Sequence, residues 1–529
     1  MKGDFSRISF DAKNHFSGVL LQQGRVTLDA DPNEQGAILL HTLRMLARDL
    51  IGPCGGPADA LGFGLAIDTT VPTKPVLTIG AGRYYVDGIL LENDADCDYL
   101  HQPDFAPGAD DPLAKWLASP TGDVWVYLDV WERHLTWIEN DAIRESALGG
   151  PDTCTRTKVV WQVRGMPREA LLAALQAKHD AAAAAAADPN LTPTQRAEWE
   201  ARRDRYANDI TLLTRNAAGQ GGTDCHAPLD SLDGLSDAQM TARLDPGQQI
   251  KDPCVLPPDA LYRGTENQLY RVEVHRSSAP GVLPTFKWSR DNGSVATTWL
   301  ATEGNDLVVG SSRGFDAGCW VELGDESNDL LGMPGLLVKL AKVTAGRLSV
   351  DPASVPVGES IAMTAGMVKP KLRRWNQSET EDITLDEGAV PVGDAVTPSW
   401  LDLEDGIQVQ FAAGGSYRNG DYWLIPARMA SGSIEWPHAT DTNGTVVWQP
   451  QPPRGVEHHH ASLGFVAFAN NQLTLTPCLC VIEPISDCSQ ARTRDVKRLN
   501  AVSGPRARPK PAPAKPESGP ARQSRPTPS

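Results

Sequence analysis

The 529-residue sequence predicts a mainly β protein with a helical insertion, an α+β chain of several small β-sandwich or barrel-like units with an N-terminal hairpin plus helix. Three observations carry that expectation. Short alternating or continuous apolar runs recur with turn signals about every ten residues, the spacing of sandwiches and small barrels. The composition holds 47 Gly and 41 Pro with only 22% charged residues, which favours strands and turns over helices. One stretch, 167–216, departs from this pattern and is built from strong helix formers.

From composition shifts we expect an N-terminal β-rich docking domain with one amphipathic helix over 1–165. A helical hairpin insertion and loop come next over 166–250, then β domains over 251–365 and 366–499 and a Pro-rich basic tail over 500–529. The tail has six basic residues against one acid and little to bury, so it is expected to be disordered or polyproline II-like.

The chain opens with an apolar run (Val19, Leu20, Leu21), a Gly24, an alternating Val26/Leu28 piece and a turn at Asp29-Ala-Asp-Pro-Asn33, read as strand, turn, strand. Ile38, Leu39, Leu43, Leu46, Ala47 and Leu50 then recur at helical spacing, predicting an amphipathic helix with Asn33 as N-cap and its end near Gly52-Pro53. Arg25, Asp29, Asp31 and Glu34 form a charged cluster, but short polar residues at a turn and helix start are accounted for by capping. This block is expected to be an ordered docking element.

Asp87-Gly88 between apolar runs predicts a β-hairpin. Val124-Trp-Val-Tyr-Leu-Asp-Val-Trp131 reads as a strand covered on both faces and central to the first domain. Gly149-Gly-Pro-Asp152 delivers the chain into the strand Lys158 to Val163, with Arg156 and Lys158 on one face and Trp161 within it. The helical hairpin over 167–216 is expected to be a surface excursion that the β frame can lose. Tyr262 to His275 ends in an alternating strand, and a strand beginning at Pro284 runs into Asn292-Gly293, expected to turn a hairpin, as is Asn419-Gly420.

Taken together, Met1-Lys-Gly-Asp-Phe-Ser-Arg7, His15-Phe16 and Gln22 to Gln35 resemble an uncharacterised family found near baseplate and tail genes of phage-tail-like contractile injection systems. The blocks Leu128 to Val163, Tyr262 to His275 and Pro284 to Val295 match its pattern as well. Relatives usually read Asp-Trp-Asn-Glu-Gln where this chain has Asp31-Pro32-Asn33-Glu34-Gln35, so an aromatic anchor is missing here. The resemblance spans roughly Met1 to Pro484. It implies a structural or attachment component of a tail-like particle, at the baseplate or an accessory position, with other particle subunits as partners and homo-oligomerisation allowed.

Function classes narrow further on charge. A net charge of −17 argues against nucleic-acid binding, which needs clustered Lys and Arg. No apolar run approaches the ~20 residues of a membrane span and no signal-peptide pattern opens the chain, so synthesis in the cytosol without membrane insertion is expected. Nine Cys, an odd number without a CxxC pair, read as reduced thiols; Cys478, Cys480 and Cys488 are the densest group, and Cys225 and Cys254 flank a loop.

Chemistry-bearing candidates are few. Trp288 and Arg290 could stack on a sugar or base, and Glu266 with Asp291 could act as paired carboxylates in glycoside chemistry. Turn formation explains the same residues without catalysis. In His458-His-His460 adjacent side chains point to opposite faces, so at most His458 and His460 could share an ion, and the spacing supplies no further ligands. The expectation is therefore no catalytic residue, no cofactor and no metal, with a carbohydrate-binding or glycan-hydrolysing protein as the rival reading.

Overall fold

The computed structural model describes residues 1–483 except 69–74, 109, 149–151, 188, 190–192, 218–235, 237, 247–260, 280–281, 382, 394–398, 413–414, 441, 443–445 and 471. The 500–529 tail, the Gly149-Gly150-Pro151 part of the predicted turn, and Cys225, Cys254 and Cys488 lie outside the described residues. The chain divides into two units, Met1–Val481 and Ile482–Ser529.

The first unit is mainly β, with several sheets, a closed six-stranded barrel and a few helices. Helix α1 spans Ala30–Ile51, α2 Pro112–Ala118, α3 Arg168–Ala186, α4 Pro193–Ala217 and α5 Glu326–Leu331.

The long strand Gly122–Leu135 is central, as its unbroken apolar run requires. It pairs with Arg156–Pro167 on one side and with His458–Ala469 on the other, and the latter pairs onward with Gln472–Pro477. One face, with Val124, Val126, Leu128 and Val130, packs on the hairpin Gly82–Val86/Ile89–Asn93 and on Leu113 and Trp116 of α2. The Asp87-Gly88 turn has positive φ at both residues (48° and 79°), the backbone of the tight hairpin that the sequence predicts.

The other face carries Trp125 and Tyr127, and Leu171, Leu175 and Leu213 of the paired helices α3 and α4 lie on it. The helical hairpin is thus present where expected, but it is no bare excursion. A strand whose side chains alternate between two faces needs two apolar covers, and these helices supply the second.

Strands drawn from 240–289 and 390–434, on either side of the barrel segment, build a sandwich. Five strands run in the order Ser433–Ile434, Tyr422–Arg428, Gln268–Arg276, Thr285–Ser289, Val390–Pro391. Against them pack Met240–Leu244 and Ile407–Phe411, burying Tyr270, Val272, Phe286, Trp288, Val409 and Trp423 in one core. The barrel closes through Ala296–Glu303, Asp306–Val309, Arg347–Val350, Leu336–Thr344, Trp320–Gly324 and Lys371–Trp375 around Leu307, Val321, Val338, Leu348 and Leu372. Sheets therefore close between distant segments: Lys371–Trp375 completes the barrel, and His458–Ala469 pairs with a strand more than 300 residues earlier, its His458 opposite Trp131.

Four expectations need correction. Residues 15–29 form no hairpin; after a short 3-10 turn at Ala12–Asn14 they run without strand pairing, because no neighbouring strand satisfies their backbone. Asn33 is not the N-cap: α1 begins at Ala30, since Pro32 is tolerated in a first helical turn and Asn33 N–H already donates to Asp29 C=O (3.4 Å). Asn292-Gly293 (φ 51° and 64°) and Asn419-Gly420 turn the chain, but the strands they join belong to different sheets, so neither closes a hairpin. Cys478 is disulfide-bonded, against the reduced-thiol expectation, while Cys54, Cys97, Cys154, Cys319 and Cys480 are free. An odd cysteine count says that at least one thiol is unbridged and nothing about the rest.

Candidate functional site

The strands of the sandwich alternate, and both of their faces are buried. Tyr270, Val272 and Val274 enter the apolar core, while Arg271 and Glu273, on the opposite face, are each 3% exposed. Lys287 and Ser289 repeat this on the neighbouring strand. Buried charge of this kind must be paired. Glu273 receives Arg271 Nε (2.6 Å), Lys2 Nζ (2.9 Å) and Lys287 Nζ (3.4 Å). Lys287 also reaches Glu322 Oε1 of the barrel (2.5 Å) and lies over the Trp375 ring, 4.6 Å from its centroid.

A second ionic group ties the barrel to the central strand. Arg133 bridges Glu326 (2.8 Å) and Asp329 (3.0 Å) of α5, and Lys371 bridges Glu139 (2.8 Å) and the same Asp329. Burial raises the Glu139 carboxyl, but Lys371 beside it outweighs that and holds the group at about 2; Glu322 is likewise held at about 2, with Lys287 the largest opposing charge. His134, between these groups, is pushed down to about 3 by burial and by the nearby cations. Arg133, His134, Glu139, Glu322, Asp329 and Lys371 line a cavity of about 1000 Å³.

The N-terminal segment is threaded into that junction. Arg271 Nη1 donates to Met1 C=O (3.0 Å), Asn292 Nδ2 to Gly3 C=O (2.9 Å) and Arg428 Nη2 to Ser6 C=O (2.9 Å). The arm then meets α1. Asp29 Oδ2 accepts Ser6 N–H (2.9 Å), Asp31 Oδ2 accepts Leu28 N–H (3.0 Å), Glu34 accepts the Ser9 hydroxyl (2.6 Å), and Gln35 Oε1 accepts Val19 N–H (2.8 Å). The acids of the predicted charged cluster therefore organise the arm's backbone, and Arg25 stands exposed on the turn whose N–H reaches Gln22 C=O (3.3 Å).

α1 meets the body along one side only. Ala30 and Ile38 are buried, Arg44 pairs with Glu132 (2.8 Å), Arg48 faces Asp87 (3.4 Å), and a Cβ on Gly88 would stand 2.1 Å from Arg44 C=O. On its other side Leu39, Leu43, Leu46 and Leu50 are 57%, 53%, 54% and 67% exposed. In the arm Leu20 is 90% and Val26 85% exposed. Apolar exposure on this scale is uncommon on the surface of a monomer.

The remaining predicted site residues are scattered and structural. Trp161 is buried, edge-on to Phe63 (4.9 Å), and donates Nε1–H to Glu92 C=O (3.0 Å). Trp288 is 3% exposed and lies in the sandwich core, so it offers no face to a sugar or base. Arg290 pairs with Glu404 (2.5 Å). Asp291 is bound by Ser289 Oγ (2.6 Å) and Arg374, and Glu266 lends its C=O to the Tyr262 hydroxyl (2.9 Å). Arg156 is exposed and donates to the C=O groups of Cys154 (3.3 Å) and Thr155 (3.0 Å).

The histidine run divides between faces as alternation demands. His458 Nδ1 is 2.6 Å and His460 Nε2 3.6 Å from Asp129 Oδ1, with stacked rings 6.5 Å apart, while His459 turns to Asp87 (3.0 Å). Among the described residues no group of three or more His, Cys, Asp or Glu is set to hold a metal ion. No described helix is long and apolar enough to cross a membrane.

The buried ionic junction was missed from sequence. Its one signal was period-2 charge inside strands, at Arg271/Glu273 and Lys371/Arg373, which reads equally well as a solvent face.

Comparison with known proteins adds little on activity. No curated protein matches this chain. Among solved structures, one titled "Crystal structure of TssK" aligns over 76% of this chain and 99% of that one at 10% identity, with a TM-score of 0.15, too low to carry an argument. A family model matches residues 1–528, nearly the whole chain, and the chain belongs to that family of unknown function, DUF6519.

Proposed function

We propose that the chain is a structural or attachment component of a phage-tail-like contractile injection particle, at the baseplate or an accessory position, acting by binding other subunits without a catalytic centre. The observation that carries this reading is the leucine-bearing face of α1 with the arm beside it. That apolar surface is joined to the body by ion pairs and hydrogen bonds yet has no cover from the described residues of its own unit. The likeness of the N-terminal block to a family found near tail and baseplate genes supplies the particle. Binding a glycan by stacking would need an exposed tryptophan face, and no described tryptophan stands among the exposed large apolar residues.

The test is co-sedimentation. Particles from cells lacking this chain should be misassembled or unable to attach, and a Leu43→Glu, Leu46→Glu variant should fold but fail to restore them. The purified chain should be inert toward glycans, peptides, esters and nucleotides. Normal particles without the chain, together with hydrolysis that a single carboxylate substitution abolishes, would overturn the proposal.

A further inference from the structure

We infer that α1 pairs with α1 of a second copy of this chain, antiparallel, so that the protein enters its assembly as a two-fold dimer. The inference rests on the docking role proposed for α1 and names the occupant of that surface.

The exposed leucines have the spacing of a helix–helix seam. Leu39, Leu43, Leu46 and Leu50 succeed one another by four, three and four residues, the a/d repeat of a two-helix seam, whereas a helix facing a globular core carries a wider stripe. The body-facing side of α1 is separate and already satisfied, through Ile38, Arg44 and Arg48. The seam is surplus to the fold.

It is also self-complementary. Reversing one helix about a point between Leu43 and Leu46 sets Leu39 against Leu50 and Leu43 against Leu46, so every knob meets a leucine, as a two-fold interface requires. On the flanks Leu40 meets Ala47 and Asp49 meets Thr42, so no like charges oppose each other. Leucine at both seam positions lacks the β-branched residues that favour parallel dimers, and antiparallel helix dipoles attract.

The area suffices. An exposed leucine carries on the order of 100 Å² of buryable surface. The four seam leucines with Leu40 bring roughly 500 Å² per copy, about 1,000 Å² for the pair, which reaches the threshold of a specific interface.

The experiment measures the mass of the full-length chain in solution by light scattering, alongside cross-linking. The wild type should run at twice 57.0 kDa at micromolar concentration, and Leu43→Glu, Leu46→Glu should run as a monomer with unchanged circular dichroism and melting. Leu39→Cys chains mixed with Leu50→Cys chains should form a disulfide dimer, and Leu39→Cys chains alone should not rise above the background of the native cysteines. A wild type that stays monomeric, while the double variant still fails to enter particles, overturns the second-copy assignment and leaves the docking reading standing. A double variant that still dimerises and enters particles overturns both. Cross-linking of Leu39→Cys to itself overturns the antiparallel arrangement.

Discussion

Replacing Lys287 by Met tests whether the buried charges hold the sandwich to the barrel. Lys287 is 1% exposed, and its Nζ lies 2.5 Å from Glu322 and 3.4 Å from Glu273. Glu273 would keep Lys2 (2.9 Å) and Arg271 (2.6 Å), so most of the cost falls on Glu322. That carboxylate would retain two neutral donors, Trp375 Nε1–H (2.8 Å) and Gly335 N–H (2.9 Å), while losing its nearest counter-charge. Removing one partner of a buried pair costs about 3–5 kcal/mol, and the lower part of that range applies here because the donors remain. At ~2 cal/mol/K per residue, a unit ending at Val481 unfolds with an entropy of ~1 kcal/mol/K, so the midpoint should drop by about 3–4 °C if the unit melts as one. Differential scanning calorimetry of wild type, Lys287→Met, Glu322→Gln and the double variant makes the comparison. The double variant, with no orphaned charge, should recover more than half of the loss. A Lys287→Met midpoint within ~1 °C of wild type, or a double variant below both singles, would refute the reasoning.

Three further outcomes are expected. Acid should destabilise the fold before it neutralises ordinary carboxylates: His134 (about 3) and His275 (about 4), both lowered by burial from 6.5, and Glu139 and Glu322 (about 2, from 4.5) all bind fewer protons folded than unfolded. Their contribution is complete above pH 6.5 and declines as pH falls toward 2, by up to ~1.4 kcal/mol per pH unit for each group, so a melting midpoint unchanged from pH 7 to pH 4 would contradict it. Replacing 168–217 by a Gly/Ser linker should uncover Trp125 and Tyr127, at ~150–250 Å² each a loss on the order of 10 kcal/mol, giving aggregated or molten protein; a soluble, cooperatively melting product would show that the helices are dispensable. Iodoacetamide should modify exposed Cys154 well before Cys54, whose half-buried thiol is pushed up to about 11; equal labelling rates by mass spectrometry would contradict that burial.

What the sequence determined by itself was local. The apolar run at Val124 to Trp131, the Asp87-Gly88 turn, the stop of α1 at Gly52 and the helix formers of 167–216 each became the element they predict, because strand, turn and helix preferences act over a few residues. The division of His458, His459 and His460 between two faces was legible for the same reason: alternation is a property of the strand itself. Tertiary structure decided whatever depends on a partner distant in sequence. Val19 to Leu28 has strand composition and no strand to pair with, so it stays an arm, and the Asn292-Gly293 turn passes the chain between sheets because its flanking strands find better partners elsewhere. The same dependence hid the ionic junction. Arg271, Glu273 and Lys287 look like a solvent face until Lys2 and Glu322 close over them. The leucines of α1 look like core until the fold turns the helix by its arginines and leaves them outside, since which face of an amphipathic helix is covered depends on the neighbours that its own sequence does not name.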